Sequence, residues 1–210
     1  MPLEVRDSKK YAIIVGGKIA IKAEEGARDS VKREYKTSAG VEGVKWEYLY
    51  DNLRGIIQDI EIVPSDFGDQ IHVLIDGITL SLGAASQYGN DFMKKIPTAD
   101  LTKELNIVPW KMEKDGKIKS GLVIYQGFNE KEGKAIKLTD YFYDWENKKC
   151  LHDFPSPENK VMDSDDWKMY FIKVKKFLIE YIKENIIPKV SKFDLTEEKG
   201  IDVSDIPFEN

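Results

Sequence analysis

The sequence has one cysteine and two histidines among its 210 residues. A lone thiol, Cys150, cannot form an internal disulfide, which favours a reducing compartment. His72, His152 and Cys150 do not show the ligand spacing of a zinc site. His72 sits among apolar residues, which is more typical of a structural histidine than of a catalytic one. We therefore expect a protein that needs neither a metal nor another cofactor.

Long apolar runs are also missing. No run approaches the roughly 20 residues that a membrane-spanning helix requires. The first ten residues lack the apolar core of a signal peptide. These two observations predict a soluble protein without membrane contact, located in the cytoplasm, or in the host cytoplasm if a phage encodes it.

Motifs for catalysis are missing too. The sequence contains no glycine-rich dinucleotide or phosphate loop, no HExxH and no GxSxG. Asp163, Asp165 and Asp166 cluster where a helix is predicted to begin, and the helix dipole alone favours acids there. Asp59 and Glu61 alternate along one strand face, as expected of a hydrated wall. We predict that the protein is not an enzyme.

The negative charge is concentrated at the C-terminus. The chain has 32 basic and 37 acidic residues, a net charge of −5. Residues 194–210 hold six of the acids and one base, so residues 1–193 keep 31 of each sign. A neutral body does not by itself indicate nucleic-acid binding, although it allows a local basic groove.

Five short apolar runs and one helical pattern occupy the middle of the chain. The alternation of apolar and polar residues predicts strands, and the four-residue spacing of Tyr88, Phe92 and Ile96 predicts a helix. In the first strand, Ile56, Ile60 and Ile62 share a face. The strands span residues 53–63, 70–76, 78–83, 105–112 and 120–126, and the helix spans 87–96, capped by Ser86. This order is that of the five-stranded OB barrel, which commonly binds oligonucleotides.

Additional elements flank the predicted barrel. Strands are expected at residues 11–15, 18–22, 45–50 and 135–138, with a charged loop or hairpin at 24–36. After an irregular segment, Ser164 is expected to cap a long helix over about 165–187 that Pro188 ends. Its aromatic stripe packs on the barrel or on a second subunit. We expect one domain over residues 1–193 and a flexible acidic tail over 194–210.

Aromatic and basic residues provide the candidate binding site. Proteins that bind single strands stack bases on exposed rings and hold phosphates with Lys and Arg. A period of two places Trp46, Tyr48 and Tyr50 on one side of a strand. Residues 111–119 are expected to form a basic hairpin loop at the barrel mouth. The predicted DNA-binding set is Lys45, Trp46, Tyr48, Tyr50, Arg54, Trp110, Lys111, Lys114, Lys117, Lys119, Tyr125 and Phe128. The alternative for each ring is burial in the core.

Three segments carry a family resemblance: LRGII at 53–57, YGNDFMKKIP at 88–97, and VPW at 108–110 with KSGL at 119–122. They are similar to the opening strand, the helix and the last hairpin of the OB-fold single-stranded DNA-binding proteins of tailed bacteriophages. The resemblance covers about residues 44–126. It implies a non-catalytic protein of phage DNA replication, recombination and repair. Whether it is a monomer or a dimer stays open.

The C-terminal segment DVSDIPF at 202–208 resembles the acidic tip of bacterial single-stranded DNA-binding proteins. That resemblance implies that Asp202, Asp205, Ile206, Pro207 and Phe208 recruit replication or recombination proteins. Here Glu209 and Asn210 follow the phenylalanine, which displaces the terminal carboxylate by two residues. If a partner pocket recognises that carboxylate next to the ring, we expect weaker binding or a different partner. The alternative is an OB-like protein-interaction or assembly module that does not bind DNA.

Overall fold

A computed structural model describes residues 10–36, 40–66, 68–130, 133–157 and 161–190. Its strands are β1 Lys10–Val15, β2 Lys18–Lys22, β3 Val31–Lys36, β4 Glu42–Tyr50, β5 Leu53–Gly55, β6 Ile57–Val63, β7 Gln70–Ile75, β8 Ile78–Gly83, β9 Leu105–Lys114, β10 Lys117–Asn129, β11 Lys134–Lys137, β12 Tyr143–Asp144 and β13 Lys149–Cys150. Its helices are α1 Gln87–Lys95 and α2 Ser164–Tyr181. The protein is therefore mainly β with two helices.

Seven strands form a large mixed sheet in the order β3-β4-β2-β1-β8-β7-β6, which we call the first sheet. Only the β1–β8 pairing within it is parallel. One face of this sheet packs against the core. Alternate residues on that face, such as Ala12, Ile19 and Ile71, are almost completely buried. The period of two along these strands follows from the β pleat.

Four strands in the order β11-β10-β9-β5 form the second sheet. Its inner face contributes Leu105, Ile107, Leu122 and Ile124 to the core, each no more than 1% exposed. The two sheets share one interrupted strand, because β5 pairs with β9 and β6 pairs with β7. The chain therefore bends at Ile56 and passes from one sheet to the other.

Helix α1 covers one edge of β10. Ser86 accepts the Gly89 N–H at 3.1 Å and caps the helix, as predicted. At the strand edge, Asp91 accepts the Leu122 N–H at 2.8 Å and Lys95 donates to the Leu122 carbonyl. Two side chains of the helix thus form hydrogen bonds with both backbone groups of Leu122. Phe92 and Met93 of the same helix are buried in the core, as is Ile96 just beyond its end.

Helix α2 begins at a capping box formed by Asp163 and Asp166. Asp163, and not Ser164, is the N-cap, because its carboxylate accepts the N–H groups of Asp165 and Asp166. Beyond Tyr181 the helix continues as a π turn over Ile182–Ile186 and a 3₁₀ turn over Ile187–Lys189. The apolar side chains of its second half, such as Val174 and Leu178, are buried in the core, as predicted for the stripe. In its first half, Trp167 and Phe171 are 41% and 61% exposed.

The predicted five-stranded barrel is not confirmed. Within the described ranges, β8 pairs with β7 and β1, and β10 pairs with β9 and β11, so these strands do not close a five-stranded ring. The parallel N-terminal strand β1 occupies the edge of β8 that closure would need. The first predicted strand is also broken, and Ile57 rather than Ile56 enters the core because a register shift lies between Ile57 and Asp59.

Two segments outside the predicted strands also contain strand residues. Residues 111–119 form the end of the β9–β10 ribbon around a two-residue turn at Asp115 and Gly116, not a long loop. Of the charged segment 24–36, the last six residues form β3, which pairs antiparallel with β4, so the hairpin alternative predicted there is confirmed. The predicted tail, residues 194–210, lies outside the described residues.

Candidate nucleic-acid interface

The register of the second sheet determines which side chains share its outer face. Residues directly opposite in an antiparallel pair point to the same side. Ile107 pairs with Leu53 and Ile124, and all three lie on the core side. The neighbouring row, in which Asn106 pairs with Arg54 and Tyr125, therefore faces outward.

Seven residues of the predicted DNA-binding set lie on this outer face. Along β9 and β10 the pairs continue outward as Trp110 with Gly121 and Lys114 with Lys117. A bulge between Tyr125 and Phe128 keeps both of them opposite outward positions of β11. The seven are Arg54, Trp110, Lys114, Lys117, Lys119, Tyr125 and Phe128.

Trp110 is partly buried and held in place. A Cβ added at Gly121 would lie 2.8 Å from Cζ2 of Trp110, so the indole lies over the glycine of the neighbouring strand. The Tyr88 hydroxyl donates to the Trp110 carbonyl at 3.4 Å. Gly121 thus leaves room for a ring whose position is fixed by packing, which suits a stacking platform.

One row crosses all four strands of the second sheet: Lys137, Tyr125, Asn106 and Arg54. Arg54 donates to Glu104 at 2.5 Å and keeps a 68% exposed side chain. Within the described structure, Oδ1 of Asn106 is buried and has no hydrogen-bond partner. In this row, the ring of Tyr125 and the cations of Arg54 and Lys137 therefore lie on the same face as Asn106, whose Oδ1 has no partner among the described residues.

The end of the ribbon, residues 111–119, which we call the tip, is exposed at every position. Asp115 and Gly116 have φ of 55° and 69°, the left-handed pair of a type I′ turn. The turn places Lys114 directly opposite Lys117, with Lys119 two residues further along the same face. Like charges directly opposite each other destabilise a ribbon. Among described residues, none of these three lysines forms an ion pair.

The remaining five predicted residues lie elsewhere. Trp46, Tyr48 and Tyr50 share one face of β4, as predicted, but it is the face on which Ile19 enters the core. Tyr50 is 47% exposed there, whereas Trp46 and Tyr48 are half-buried. Lys45 lies on the opposite face of β4, and Lys111 points to the inner side of the ribbon. The twelve predicted residues therefore do not share one face of the structure.

A close backbone contact nevertheless brings β4 near the ribbon. A Cβ added at Gly17 would lie 2.6 Å from the Lys111 nitrogen. Gly17 lies two residues before Ile19, which pairs with Tyr50. Standard backbone spacings then place Tyr50 within roughly 16 Å of Lys111. The aromatic face of β4 is thus next to the base of the tip, not part of the outer face.

Lys45 belongs to a groove of about 880 Å³ on the outer face of the first sheet. Its ammonium lies 4.9 Å from the ring centroid of Tyr35. Beside it, Arg33 donates to both carboxylate oxygens of Glu47, at 2.6 and 2.7 Å. Hydrogen bonding by Arg33 lowers the pKa of Glu47 despite the burial of that carboxyl. The charges in this groove are therefore largely matched within the protein.

Sequence reasoning missed Lys137 and Asn106. Both are recognised only through the pairing of β10 with β11 and β9, which joins positions that are distant in the sequence. The alternation of residues 106–125 across the Asp115–Gly116 turn could have placed Asn106 opposite Tyr125. Nothing local to residues 134–137 indicates their register.

The described residues contain no cluster of His, Cys, Asp or Glu able to hold a metal ion. None of their helices is both long and apolar enough to cross a membrane. Comparisons with protein-family models, with curated proteins and with solved structures give no match.

Proposed function

We propose that the protein binds single-stranded DNA, without catalysis, on the outer face of the second sheet. One observation carries the proposal: the strand register gathers three aromatic rings and a group of lysines on this face. The rings are Trp110, Tyr125 and Phe128. Rings that accept bases and cations that accept phosphates are the two components of single-strand recognition without sequence preference.

Electrostatics supports an anionic ligand for this face. It carries five cations, Arg54, Lys114, Lys117, Lys119 and Lys137, and three acids lie next to them: Glu104 at Arg54, and Glu113 and Asp115 at the tip. The local charge is therefore +2, in a body whose net charge is zero. Phosphates placed between Lys114 and Lys117 would replace a repulsion by two attractions. The body as a whole would contribute little long-range attraction, so affinity should rest on this local group and on stacking.

The chain order is compatible with a partly open OB barrel, which supports the same proposal. The interrupted strand β5–β6 pairs with both β7 and β9, and α1 lies between β8 and β9 in the sequence. In such a barrel the hairpin between the last two strands flanks the bound strand. In this protein that hairpin is the tip.

The proposal includes a role in DNA replication, recombination and repair in the cytoplasm of a phage host. Asp202, Asp205, Ile206, Pro207 and Phe208 would recruit partner proteins there. An acidic segment anchored by one aromatic residue suits weak, exchangeable contacts.

Fluorescence anisotropy with labelled oligo-dT at several salt concentrations tests the proposal. We expect binding at low salt whose affinity falls as salt rises. The triple variant Lys114→Gln, Lys117→Gln and Lys119→Gln should lose at least about tenfold in affinity, and its salt slope should become shallower by about 2.

The matched control is Lys22→Gln, Lys32→Gln and Lys45→Gln, which removes the same charge from the first sheet. Its affinity should stay within about twofold of the wild type. Absence of binding at low salt would overturn the proposed function. A larger loss in the control than in the tip variant would move the site to the first sheet.

A second candidate function is a protein-interaction or assembly module without DNA binding. The observation that favours it is the outer face of the first sheet, where Tyr11, Ile13, Val31 and Leu49 are 38–52% exposed. Deleting residues 194–210 discriminates between the two. Under DNA binding, affinity for oligo-dT is kept or increased, whereas under the alternative only a protein partner is lost.

A further inference from the structure

The outward face of helix α2 carries an exposed apolar centre. Met169 and Ile172 are 65% and 57% exposed, although the next turn of the same helix buries Val174. At 100° per residue, both side chains point away from Val174 and hence away from the core. These two residues therefore take no part in the stripe that packs α2 on the protein.

The residues on either side of this centre continue its line along the helix. Asp165, Met169, Ile172 and Lys176 follow one another at intervals of four, three and four residues. This is the spacing of a coiled-coil seam, which keeps side chains on one side of the helix. Asp165 and Lys176 are highly exposed, with 85% and 74% of their side-chain surface accessible. The seam thus has an acid at one end, a base at the other and two apolar residues between them.

We propose that a second copy of this chain docks on the seam as an antiparallel helix pair. The seam is complementary to itself when reversed: Asp165 meets Lys176 of the partner, and Met169 meets Ile172 of the partner. A two-fold axis then repeats each contact, as an isologous dimer requires. Antiparallel alignment also pairs opposite ends of the two helix dipoles.

The charged residues at the two ends of the seam can exchange their ion pairs within the helix for ion pairs with a partner. Asp165 contacts Lys168 at 2.8 Å and Lys176 contacts Glu180 at 3.8 Å, both within the helix and both exposed. Such pairs contribute little, so a partner charge can compete for them. Because the apolar centre is only two residues per copy, the dimer is small and should form at high protein concentration.

Sedimentation equilibrium over about a hundredfold range of concentration tests the proposal. The wild type should shift from monomer toward dimer as concentration rises. Ile172→Glu should weaken self-association at least about tenfold, because it places an acid in the apolar centre of both copies. Phe171→Ala is the matched control: it is exposed on the same helix but off the seam, and it should leave association unchanged. Circular dichroism confirms that each variant is folded.

Charge exchange tests the antiparallel register. Asp165→Lys alone and Lys176→Asp alone should each weaken the dimer, since each creates two like-charge contacts across the axis. The double variant Asp165→Lys with Lys176→Asp should restore association to within about threefold of the wild type. Lys148→Asp, a charge reversal in an exposed loop, should have no effect.

A wild type that is monomeric at every concentration would overturn the proposal, whatever else this face then binds. So would a dimer that persists in Ile172→Glu, or a double variant as weak as the single ones. None of these outcomes depends on oligo-dT binding, so the dimer and the proposed DNA-binding function can fail independently.

Discussion

The outer faces of the two sheets differ in whether their charged side chains are paired. On the first sheet, Arg33 binds Glu47 through two hydrogen bonds. On the second sheet, Lys114 and Lys117 stand opposite each other at an exposed tip. One face pairs its charges within the protein, whereas the other carries an excess of positive charge.

This difference distinguishes charges that serve the fold from charges that need a ligand. Glu47 and Arg33 stabilise the β3–β4 pair only together, because either one alone would be left partly buried and unpaired. The tip lysines lower the stability of the ribbon, and removing them should not harm the core. A group that the fold does not need and that repels itself is suited to bind an anion from outside.

The largest expected effect is on the first sheet. Glu47→Gln removes the partner of Arg33 and should lower the free energy of unfolding by about 2–3 kcal/mol, because breaking a buried pair leaves an uncompensated charge. Urea denaturation followed by circular dichroism measures it. The tip variant with three Gln residues serves as the control and should lose no stability. Equal losses in both variants would remove the contrast between the faces.

The next effect is on DNA affinity. Tyr125→Ala and Phe128→Ala should each weaken oligo-dT binding by about 1–3 kcal/mol, the contribution of one stacked base. Tyr11→Ala, which removes a 52% exposed ring from the first sheet, should leave affinity unchanged. If only Tyr11→Ala weakens binding, the bases stack on the first sheet instead.

A smaller effect concerns pH. Because Arg33 lowers the pKa of Glu47 in the folded state, the stability from this pair is fully present above the unfolded value of 4.5. It is lost as pH falls through the folded pKa, since the carboxylate must be protonated. Unfolding free energies measured between neutral and acidic pH should fall less in Glu47→Gln than in the wild type. Parallel pH profiles would show that the pair makes no such contribution.

The smallest expected effect is a gain in stability. Lys117→Gln removes the like-charge pair with Lys114 and should raise the free energy of unfolding by about 0.2–0.5 kcal/mol. Added salt should reduce this gain, because it screens exposed charges. Thermal unfolding at low and high salt measures both. A loss of stability would mean that Lys117 makes a structural contact that its exposure does not reveal.

Local patterns predicted most of the elements. Alternation gave the strands on either side of Asp76–Gly77, and a four-residue spacing with Ser86 gave α1. Period two correctly placed Trp46, Tyr48 and Tyr50 on one face. These features depend on neighbours within a few residues, which the sequence displays directly.

Features that depend on distant pairing were not predicted. Closure of the barrel failed because β1, about 70 residues away in the sequence, pairs with β8. The split of the twelve site residues over several faces follows from register, and a shift of one residue moves a side chain to the other face. The position of one sheet relative to the other involves contacts such as that of Gly17 with Lys111. The sequence carries no local signal for such a contact.

The side chains of α1 at Leu122 have a consequence for what the second sheet can accept. Asp91 and Lys95 supply the acceptor and the donor that a neighbouring strand would otherwise provide. Helix α1 therefore takes the place of a neighbouring strand at Leu122, and it leaves neither the N–H nor the carbonyl of this residue free to pair with another strand. An extended peptide cannot add there by β-augmentation, and two molecules cannot join edge to edge through Leu122.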